Sequence, residues 1–388
     1  MTTVRKVLQR GLVAVVIMLP LILAFYSHAD ALPRIVNIGC GQDIDQMINR
    51  DDRAIATRFE LQADCAPIDT KGPKPFVASA TIVPSDGDEV ACAAPPTFAP
   101  LRAPESDPNS VFDPTAPAFD PTTRCTVAGP SVENVFRPIG QGGTTATVRF
   151  EGIKITGGNY TGSTGSGAAI AEGSMTNSSY HLGIEVMDNE AAGILSAKGI
   201  FDKVEFTNNT QDSNALGVIG SGLKARNEVE VKNSYIHKTQ GNGLWCDNYC
   251  VDSPTATHPN GFWVHDNLVV NNDRAGIRFE RVGDVSNAGE ALIEDNEVHG
   301  NSAGENRGGI SVRDAQNARI QHNRFGRVAI GGVTYDPNAR SAIIASDSGR
   351  SSRPNLRDIL IENNILNGEI IKGCELPDTV VACSGNTR

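Results

Sequence analysis

A short pattern of apolar and polar positions returns along the second half of the chain. It reads apolar-x-x-Asn-x-apolar and occurs at residues 264–269, 293–298, 320–325 and 361–366, and at 231–236 with Ser in place of Asn. Its apolar residues are mostly Ile, Val and Phe at alternate positions, which predicts β-strands rather than helices. Because each repeat is too small to bury its own apolar face, the repeats must stack on one another.

The Asn of this pattern is expected at the same corner of every stacked coil. A single Asn would be explained by its preference for turns. Four Asn residues at the same position of the repeated pattern predict a ladder, because identical amide side chains in stacked strands can hydrogen-bond one another. The expected ladder consists of Asn267, Asn296, Asn323 and Asn364.

The repeats between Val148 and Leu366 resemble those of the right-handed parallel β-helix, the pectate-lyase-like superfamily. The resemblance implies an all-β solenoid that forms one domain, with an N-terminal cap that covers the open edge of the first coil. It is specific for the fold and not for an activity, because this scaffold carries many chemistries.

Residues 1–31 are predicted to be a secretory signal peptide. Basic residues precede an apolar stretch, and Ala29-Asp30-Ala31 has the form of a cleavage site. The apolar stretch is short for a transmembrane helix, which needs about 20 residues, although an uncleaved anchor is the alternative. We therefore expect a secreted or periplasmic protein with no stable membrane span after cleavage.

Four segments are predicted after the signal peptide. Residues 32–92 are expected to form the N-terminal cap and first strands, and residues 93–125 a loop that contains eight prolines. Residues 126–370 are expected to form the coils, and residues 371–388 a C-terminal tail.

The eight cysteines all follow the predicted signal peptide, at positions Cys40, Cys65, Cys92, Cys125, Cys246, Cys250, Cys374 and Cys383. An even number of cysteines in an exported chain predicts disulfides, and we expect nearest neighbours to pair. Cys92–Cys125 would then close the proline-rich loop, and Cys374–Cys383 would hold the tail.

The formal net charge of −11 argues against a nucleic acid or an anionic membrane as partner. It does not exclude an anionic sugar where basic residues cluster locally. We expect a monomer that binds a polysaccharide.

The strand before each pattern carries the candidate chemistry. It begins at Gly222, Gly243, Gly276 or Gly309 in four coils. Side chains alternate across a strand, so Leu223, Leu244, Ile277 and Ile310 should face the core with the residues two positions later. Two outward columns remain, which are Lys224, Trp245, Arg278, Ser311 and Arg226, Asp247, Glu280, Arg313.

Asp247 and Glu280 form a candidate catalytic pair, because neighbouring coils lie about 4.8 Å apart. Two carboxylates at that distance do not both ionise easily, so one pKa should rise and that group can act as a general acid. A Ca²⁺ ion held by the two carboxylates is the alternative, and no other cofactor is expected.

Lys224 and Arg278 are the other candidate catalytic residues. Trp245 is predicted to offer a flat face to a sugar ring, while the cations can hold uronate or sulfate groups. The predicted substrate-binding residues are Trp245, Arg226, Arg313 and His237, the last at the rim of the cleft.

Three functions fit these columns. The same strands resemble a recurring set in exported bacterial β-helix proteins of uncertain activity, which implies that Lys224, Trp245, Asp247 and Glu280 belong together. The Asn-Thr-Asp and Gly-His-Gly signatures of related pectin hydrolases do not occur, whereas β-helix uronate lyases are similar in using basic residues beside acidic calcium ligands. We therefore expect β-elimination or hydrolysis of an anionic polysaccharide. The alternative is a non-catalytic sugar-binding or structural protein, because alternating charges also stabilise solvated sheet faces.

Overall fold

A computed structural model of the protein describes residues 34–49, 56–62, 76–77, 88–93, 125–128, 135–136, 148–158, 168–171, 179–190, 192–209, 221–247, 261–280, 291–302, 307–330, 333–348 and 356–388. The predicted signal peptide, most of the proline-rich loop, Cys65 and Cys250 lie outside these residues. The described residues from 35 onward belong to one unit.

The described elements are one helix, α1 (Ile44–Asn49), and short strands. In the first half of the chain the strands are β1 (Arg34–Ile38), β2 (Thr57–Leu61), β3 (Phe76–Val77), β4 (Asp88–Cys92), β5 (Cys125–Ala128), β6 (Val148–Glu151), β7 (Ile153–Thr156), β8 (Ile170–Ala171), β9 (Ser179–Leu182), β10 (Glu185–Met187) and β11 (Ala192–Asp202). Next come β12 (Glu205–Thr207), β13 (Ser221–Lys232), β14 (Tyr235–His237), β15 (Asn242–Asp247), β16 (Phe262–His265), β17 (Leu268–Val270), β18 (Ile277–Glu280), β19 (Ala291–Glu294) and β20 (Glu297–His299). The last are β21 (Ile310–Arg313), β22 (Gln316–Gln321), β23 (Val328–Ile330), β24 (Val333–Tyr335), β25 (Ile343–Ser346), β26 (Arg357–Glu362), β27 (Ile371–Lys372) and β28 (Val381–Ser384).

Three rows of parallel strands form a right-handed parallel β-helix, as the repeats predicted. Row 1 contains β8, the first half of β11 and of β13, β15, β18, β21, β25 and β27. Row 2 runs from β2 through β4, β6, β9, the second halves of β11 and β13, β16, β19, β22 and β26 to β28. Row 3 contains β3, β5, β7, β10, β12, β14, β17 and β20.

The core residues predicted for row 1 are confirmed. Leu223, Leu244, Ile277 and Ile310 are fully buried, and so are Ala225, Cys246, Phe279 and Val312 two positions later. The glycine that opens each row 1 strand is needed for close packing: a Cβ atom on Gly243 would lie 2.6 Å from the carbonyl oxygen of Gly276 in the next coil.

The predicted Asn ladder is confirmed at the corner between rows 2 and 3. The side-chain amide of Asn267 donates to Oδ1 of Asn296 at 2.9 Å, Asn296 donates to Asn323 at 2.9 Å, and Asn323 donates to Asn364 at 3.1 Å. The residue before each ladder Asn adopts the left-handed conformation, for example Asp266 with φ 55°. The tight corner is therefore made by that preceding residue, while the Asn amides satisfy backbone groups and one another.

A second ladder lies at the corner between rows 3 and 1, and it was not predicted. Asn272 donates to Asn301 at 2.9 Å, Asn301 to Asn338 at 3.0 Å, and Asn338 to the carboxylate of Glu369 at 3.1 Å. Thr239 occupies the same corner, with its hydroxyl 2.7 Å from Oδ1 of Asn272, and in the two coils before it Asn189 donates to Asn209 at 2.9 Å. The mixture of Asn, Thr and Glu at this corner hides the ladder in the sequence.

Both ends of the described unit pack on the coils. Helix α1 buries Ile44 and Ile48 in the main core, and its role as a cap stays a prediction. The predicted tail instead continues the coils, because β27 pairs with β25 and β28 pairs with β26. Asn386 extends the first ladder by accepting from Asn364 at 2.9 Å.

Two of the predicted disulfides are present, Cys92–Cys125 and Cys374–Cys383. Cys40 and Cys246 are also disulfide-bonded, and their predicted partners lie outside the described residues. Disulfides of this kind are typical of proteins that fold in an oxidising compartment. Among the described residues, we find no helix with the length and apolar character needed to cross a membrane.

Candidate functional site

The register of row 1 brings the predicted columns together. Lys224 pairs with Trp245, Trp245 with Arg278, and Arg278 with Ser311. In the second column, Asp247 pairs with Glu280 and Glu280 with Arg313. The side chains of Asp247 and Arg226 lie outside the described part of the structure, so their places in the site stay predictions.

The middle of these columns is buried rather than open. Trp245 is 4% exposed, Arg278 is 5% exposed and Glu280 is 2% exposed. Alternation along the strand correctly directs these side chains away from the core, but it does not reveal that the face is covered. The exposed, flat face predicted for Trp245 is therefore corrected: Nζ of Lys224 lies 4.0 Å from the ring centroid, and the guanidinium carbon of Arg278 lies 5.1 Å from it. The indole orients two cations by cation–π contact.

Arg278 is only partly satisfied by its neighbours. Its Nη2 donates to Oε2 of Glu280, two residues along the same strand. Its Nε and Nη1, and Nε1 of Trp245, are buried without a hydrogen-bond partner in the described structure. Burial lowers the pKa of Arg278, Glu280 raises it, and the nearby Arg313 and Arg274 lower it again. Buried donors without partners are costly, so this guanidinium is suited to receive an acceptor from outside.

A cavity of about 280 Å³ opens beside Arg278, and we call it the arginine cleft. Its polar lining is Arg278, Arg307, Ser311, Arg313, Ser346 and Asp347, with Ile344 as the apolar residue. Three arginines thus face one aspartate. The only ion pair of Arg313 within the described residues is a loose one, with Nε 3.9 Å from Oδ2 of Asp314. The cleft therefore offers charged donors to an anionic ligand.

The predicted calcium site fits the geometry poorly. Ca²⁺ prefers six to eight oxygen ligands. At the predicted pair, one oxygen of Glu280 already accepts from a guanidinium, and Glu280 is almost completely buried. A calcium ion would have to displace Arg278, so we assign no step to a metal.

His237 is not brought to the columns. It lies on β14 in row 3, where its Nε2 is 3.0 Å from Oε1 of Glu205 and its ring stacks on Tyr235 at 3.9 Å. The hairpin β23–β24 packs nearby, with Tyr335 and Ile330 against Leu268 and Val270. These contacts are accounted for by a structural role of His237 and Tyr235 beside this hairpin.

Three further residues line the cleft and were not predicted from the sequence: Arg307, Ser346 and Asp347. Ser346 is the next member of the second predicted column, since it pairs with Arg313. The same column, extended by one coil in the sequence, predicts Ser346 at this position. Arg307 lies in a segment before β21 that has no repeat pattern, and no sequence signal points to it.

No family model matches the chain, and no curated protein sequence matches it. Two solved structures with a similar course are the A-modules of the Azotobacter vinelandii mannuronan C-5 epimerases AlgE6 and AlgE4, each at 13% identity, with TM-scores of 0.41 and 0.42. The matches cover 89% and 90% of this chain, and 93% and 92% of those chains. The Dettilon tailspike protein (gp208) is similar at 14% identity over 80% of this chain and 56% of its own, with a TM-score of 0.40.

Proposed function

We propose that this protein is an exported protein that acts on an anionic polysaccharide by β-elimination, on the outer face of row 1. The observation that carries the proposal is Arg278, which is buried, has two nitrogen atoms (Nε and Nη1) without a hydrogen-bond partner, and lines the arginine cleft. A uronate carboxylate would supply the missing acceptor and the opposite charge. The positive charge that would attract this carboxylate is confined to the cleft, since the chain as a whole is acidic.

In this reaction Lys224 would act as the general base. Its ammonium nitrogen and the guanidinium of Arg278 both contact the indole of Trp245, so a sugar whose carboxylate binds Arg278 would place its α-proton near Lys224. Lys224 takes that proton while Arg278 stabilises the charge that develops on the carboxylate. The electron pair forms a carbon–carbon double bond, the bond to the glycosidic oxygen breaks, and that oxygen takes a proton from solvent or a carboxyl group.

Hydrolysis is the second candidate, and the register of Asp247 with Glu280 favours it. A carboxyl pair on neighbouring strands can supply the acid and the base or nucleophile of a glycosidase. In this case Glu280 would be indispensable. For elimination, Glu280 is only the counter-ion of Arg278.

The test is a screen of the purified protein against polyuronates and neutral polysaccharides, with and without Ca²⁺. Ultraviolet absorbance of the unsaturated product reports elimination, and reducing ends without that absorbance report hydrolysis. Lys224→Met should abolish elimination, whereas Glu280→Gln should retain most of it. Lys372→Met, on the exposed end of row 1, is the matched control.

Each outcome separates the candidates. Loss of reducing ends in Glu280→Gln and Asp247→Asn, with Lys224→Met unaffected, would replace elimination by hydrolysis. Binding without any product would favour the non-catalytic alternative. Neither binding nor product on any anionic polymer would overturn the proposal.

A further inference from the structure

Three side chains with metal-binding atoms converge at the corner that follows row 2. Glu294 is the last residue of β19, Asp295 follows it, and His322 follows β22 in the next coil. One carboxylate oxygen of each acid and one ring nitrogen of His322 all lie within 4.8 Å of one another. The cluster belongs to row 2, whereas the arginine cleft belongs to row 1.

The backbone of the two coils explains this convergence. Glu294 pairs with Gln321, which places Asp295 and His322 at equivalent positions of neighbouring coils. Both residues adopt the left-handed conformation, with φ of 54° and 55°. The two side chains therefore leave the same kind of corner from strands that are about 4.8 Å apart. Strand register and corner geometry bring the three ligand atoms together.

The carboxylate of Glu294 is held in place by two donors of the same sheet. Its Oε1 accepts from Nε1 of Trp263 at 3.0 Å, and its Oε2 accepts from Nε2 of Gln321 at 2.7 Å. Each carboxylate oxygen has two lone pairs, so these hydrogen bonds leave a lone pair for a metal ion. Carboxylates that bind metals are oriented by donors of this kind, and the loss of such a donor weakens metal binding about ten- to hundredfold.

The charged neighbours set the expected strength of the site. Glu294 and Asp295 place two negative charges side by side, which a divalent cation would offset. Asp266, at the equivalent corner one coil earlier, is engaged by Nδ1 of His265 at 2.8 Å. Arg319 lies on the same face of β22 and repels a cation, so we expect micromolar rather than nanomolar affinity. Each ligand residue supplies one atom, so Asp295 can keep the other interaction that it makes.

We propose that Glu294, Asp295 and His322 bind a divalent cation that accepts nitrogen as well as oxygen ligands, such as Zn²⁺, and that this ion clamps two coils of row 2 together. The ligand atoms of tetrahedral Zn²⁺ are about 3.4 Å apart, and the exposed ring of His322 can move to close the remaining distance. Three protein ligands leave the fourth position to water. Ca²⁺ fits this set less well, because it takes six to eight oxygen ligands.

The experiment is titration calorimetry of the chelator-treated protein with Zn²⁺, beside thermal unfolding in Zn²⁺ and in chelator. One equivalent should bind and should raise the unfolding temperature, because the ion binds the folded state. His322→Gln and Asp295→Asn should each weaken binding at least tenfold and remove the temperature shift, and Gln321→Leu should weaken binding about tenfold. Asp358→Asn is the matched control and should change neither, since Asp358 has the same left-handed conformation on row 2, with φ 53°, but lies outside the cluster.

Co²⁺ gives a direct spectroscopic readout, because a tetrahedral site produces intense visible absorption that His322→Gln should abolish. The proposal would be overturned by the absence of any heat of binding at millimolar Zn²⁺, or by binding that remains equally strong in His322→Gln and Asp358→Asn. Equal affinity for Zn²⁺ and Ca²⁺ would overturn the choice of cation. Circular dichroism checks that the variants fold, and no outcome depends on the proposed function.

Discussion

Arg278 and Glu280 form a buried ion pair between two side chains of a single strand, β18. Both lie on the outer face of row 1, and burial of a lone charge there would be strongly unfavourable. The pair explains how a guanidinium can persist in this position while its Nε and Nη1 have no hydrogen-bond partner. It also makes Glu280 a determinant of stability whether or not it is catalytic.

The first prediction concerns the loss of one partner. Glu280→Ala should lower the free energy of unfolding by about 3 kcal/mol, because it leaves the Arg278 charge buried and uncompensated. The double variant Arg278→Met/Glu280→Ala should recover most of that loss, since no lone charge remains. Urea unfolding followed by circular dichroism measures both. Equal losses in the single and double variants would contradict this account.

The second prediction concerns the Asn ladder. Asn296 donates to Asn323, Val264 and Glu294, and it accepts from Asn267, so Asn296→Ala breaks several buried hydrogen bonds. It should cost about 3 kcal/mol, because several buried groups lose their partners.

Asn386→Ala is the control for the Asn296 variant. Asn386 forms fewer bonds and is less buried at the last rung, so its loss should cost about 1 kcal/mol. Urea unfolding measures both variants. If Asn386→Ala lowered the free energy of unfolding as much as Asn296→Ala, the buried rungs of the ladder would contribute no more to stability than the last rung.

The features of the fold that repeat from coil to coil could be predicted from the sequence. The apolar frame predicts the buried residues of row 1, and the repeated Asn predicts the members of the first ladder and their partners. The pairing of Asp247 with Glu280 follows from the same frame. These features depend on spacing alone, because a solenoid repeats one local geometry.

The rest depends on features that spacing does not encode. Alternation along the strand predicts that Trp245 points away from the core. The burial of its side chain depends instead on the conformations of Lys224 and Arg278. Arg307 reaches the cleft from a segment with no repeat. The second ladder was not predicted because Thr239 replaces Asn within it and Glu369 replaces Asn at its end.

The third prediction concerns the acid that ends the second ladder. Burial raises the pKa of Glu369, although hydrogen bonds from Asn338 and Gly326 lower it in part. A carboxyl whose pKa is higher in the folded state than in the unfolded state stabilises the fold only while it is protonated. The protein should therefore lose stability as the pH rises from about 4.5 through the raised value.

Glu369→Gln keeps an acceptor for Asn338 and removes that charge. It should be at least as stable as the unaltered protein at pH 7, and its advantage should shrink as the pH falls from the raised pKa of Glu369 to about 4.5, below which it is gone. Thermal unfolding at several pH values measures the difference, with Glu362→Gln on β26 as the matched control. A constant difference at all pH values would contradict ionisation of Glu369 as its cause.

The fourth prediction concerns His265 on row 2, which lies between two carboxylates. Its Nδ1 is 2.8 Å from Asp266 and its Nε2 is 3.3 Å from Glu230. Burial lowers the pKa of His265, but these two hydrogen bonds raise it to about 9. Glu230 is also held by Lys232 at 2.7 Å, and despite burial its two partners lower its pKa to about 2.

A histidine whose folded pKa lies above its unfolded value, about 6.5, contributes its full stability below that value. The contribution is lost as the pH rises through about 9. His265→Gln should therefore be less stable than the unaltered protein by about 2 kcal/mol near pH 6, and equally stable above about pH 9. His322→Gln, at an exposed corner, is the matched control. Chemical unfolding across this pH range measures the difference, and a gap that persists at high pH would mean that His265 stabilises the sheet by packing on Trp263 rather than by its charge.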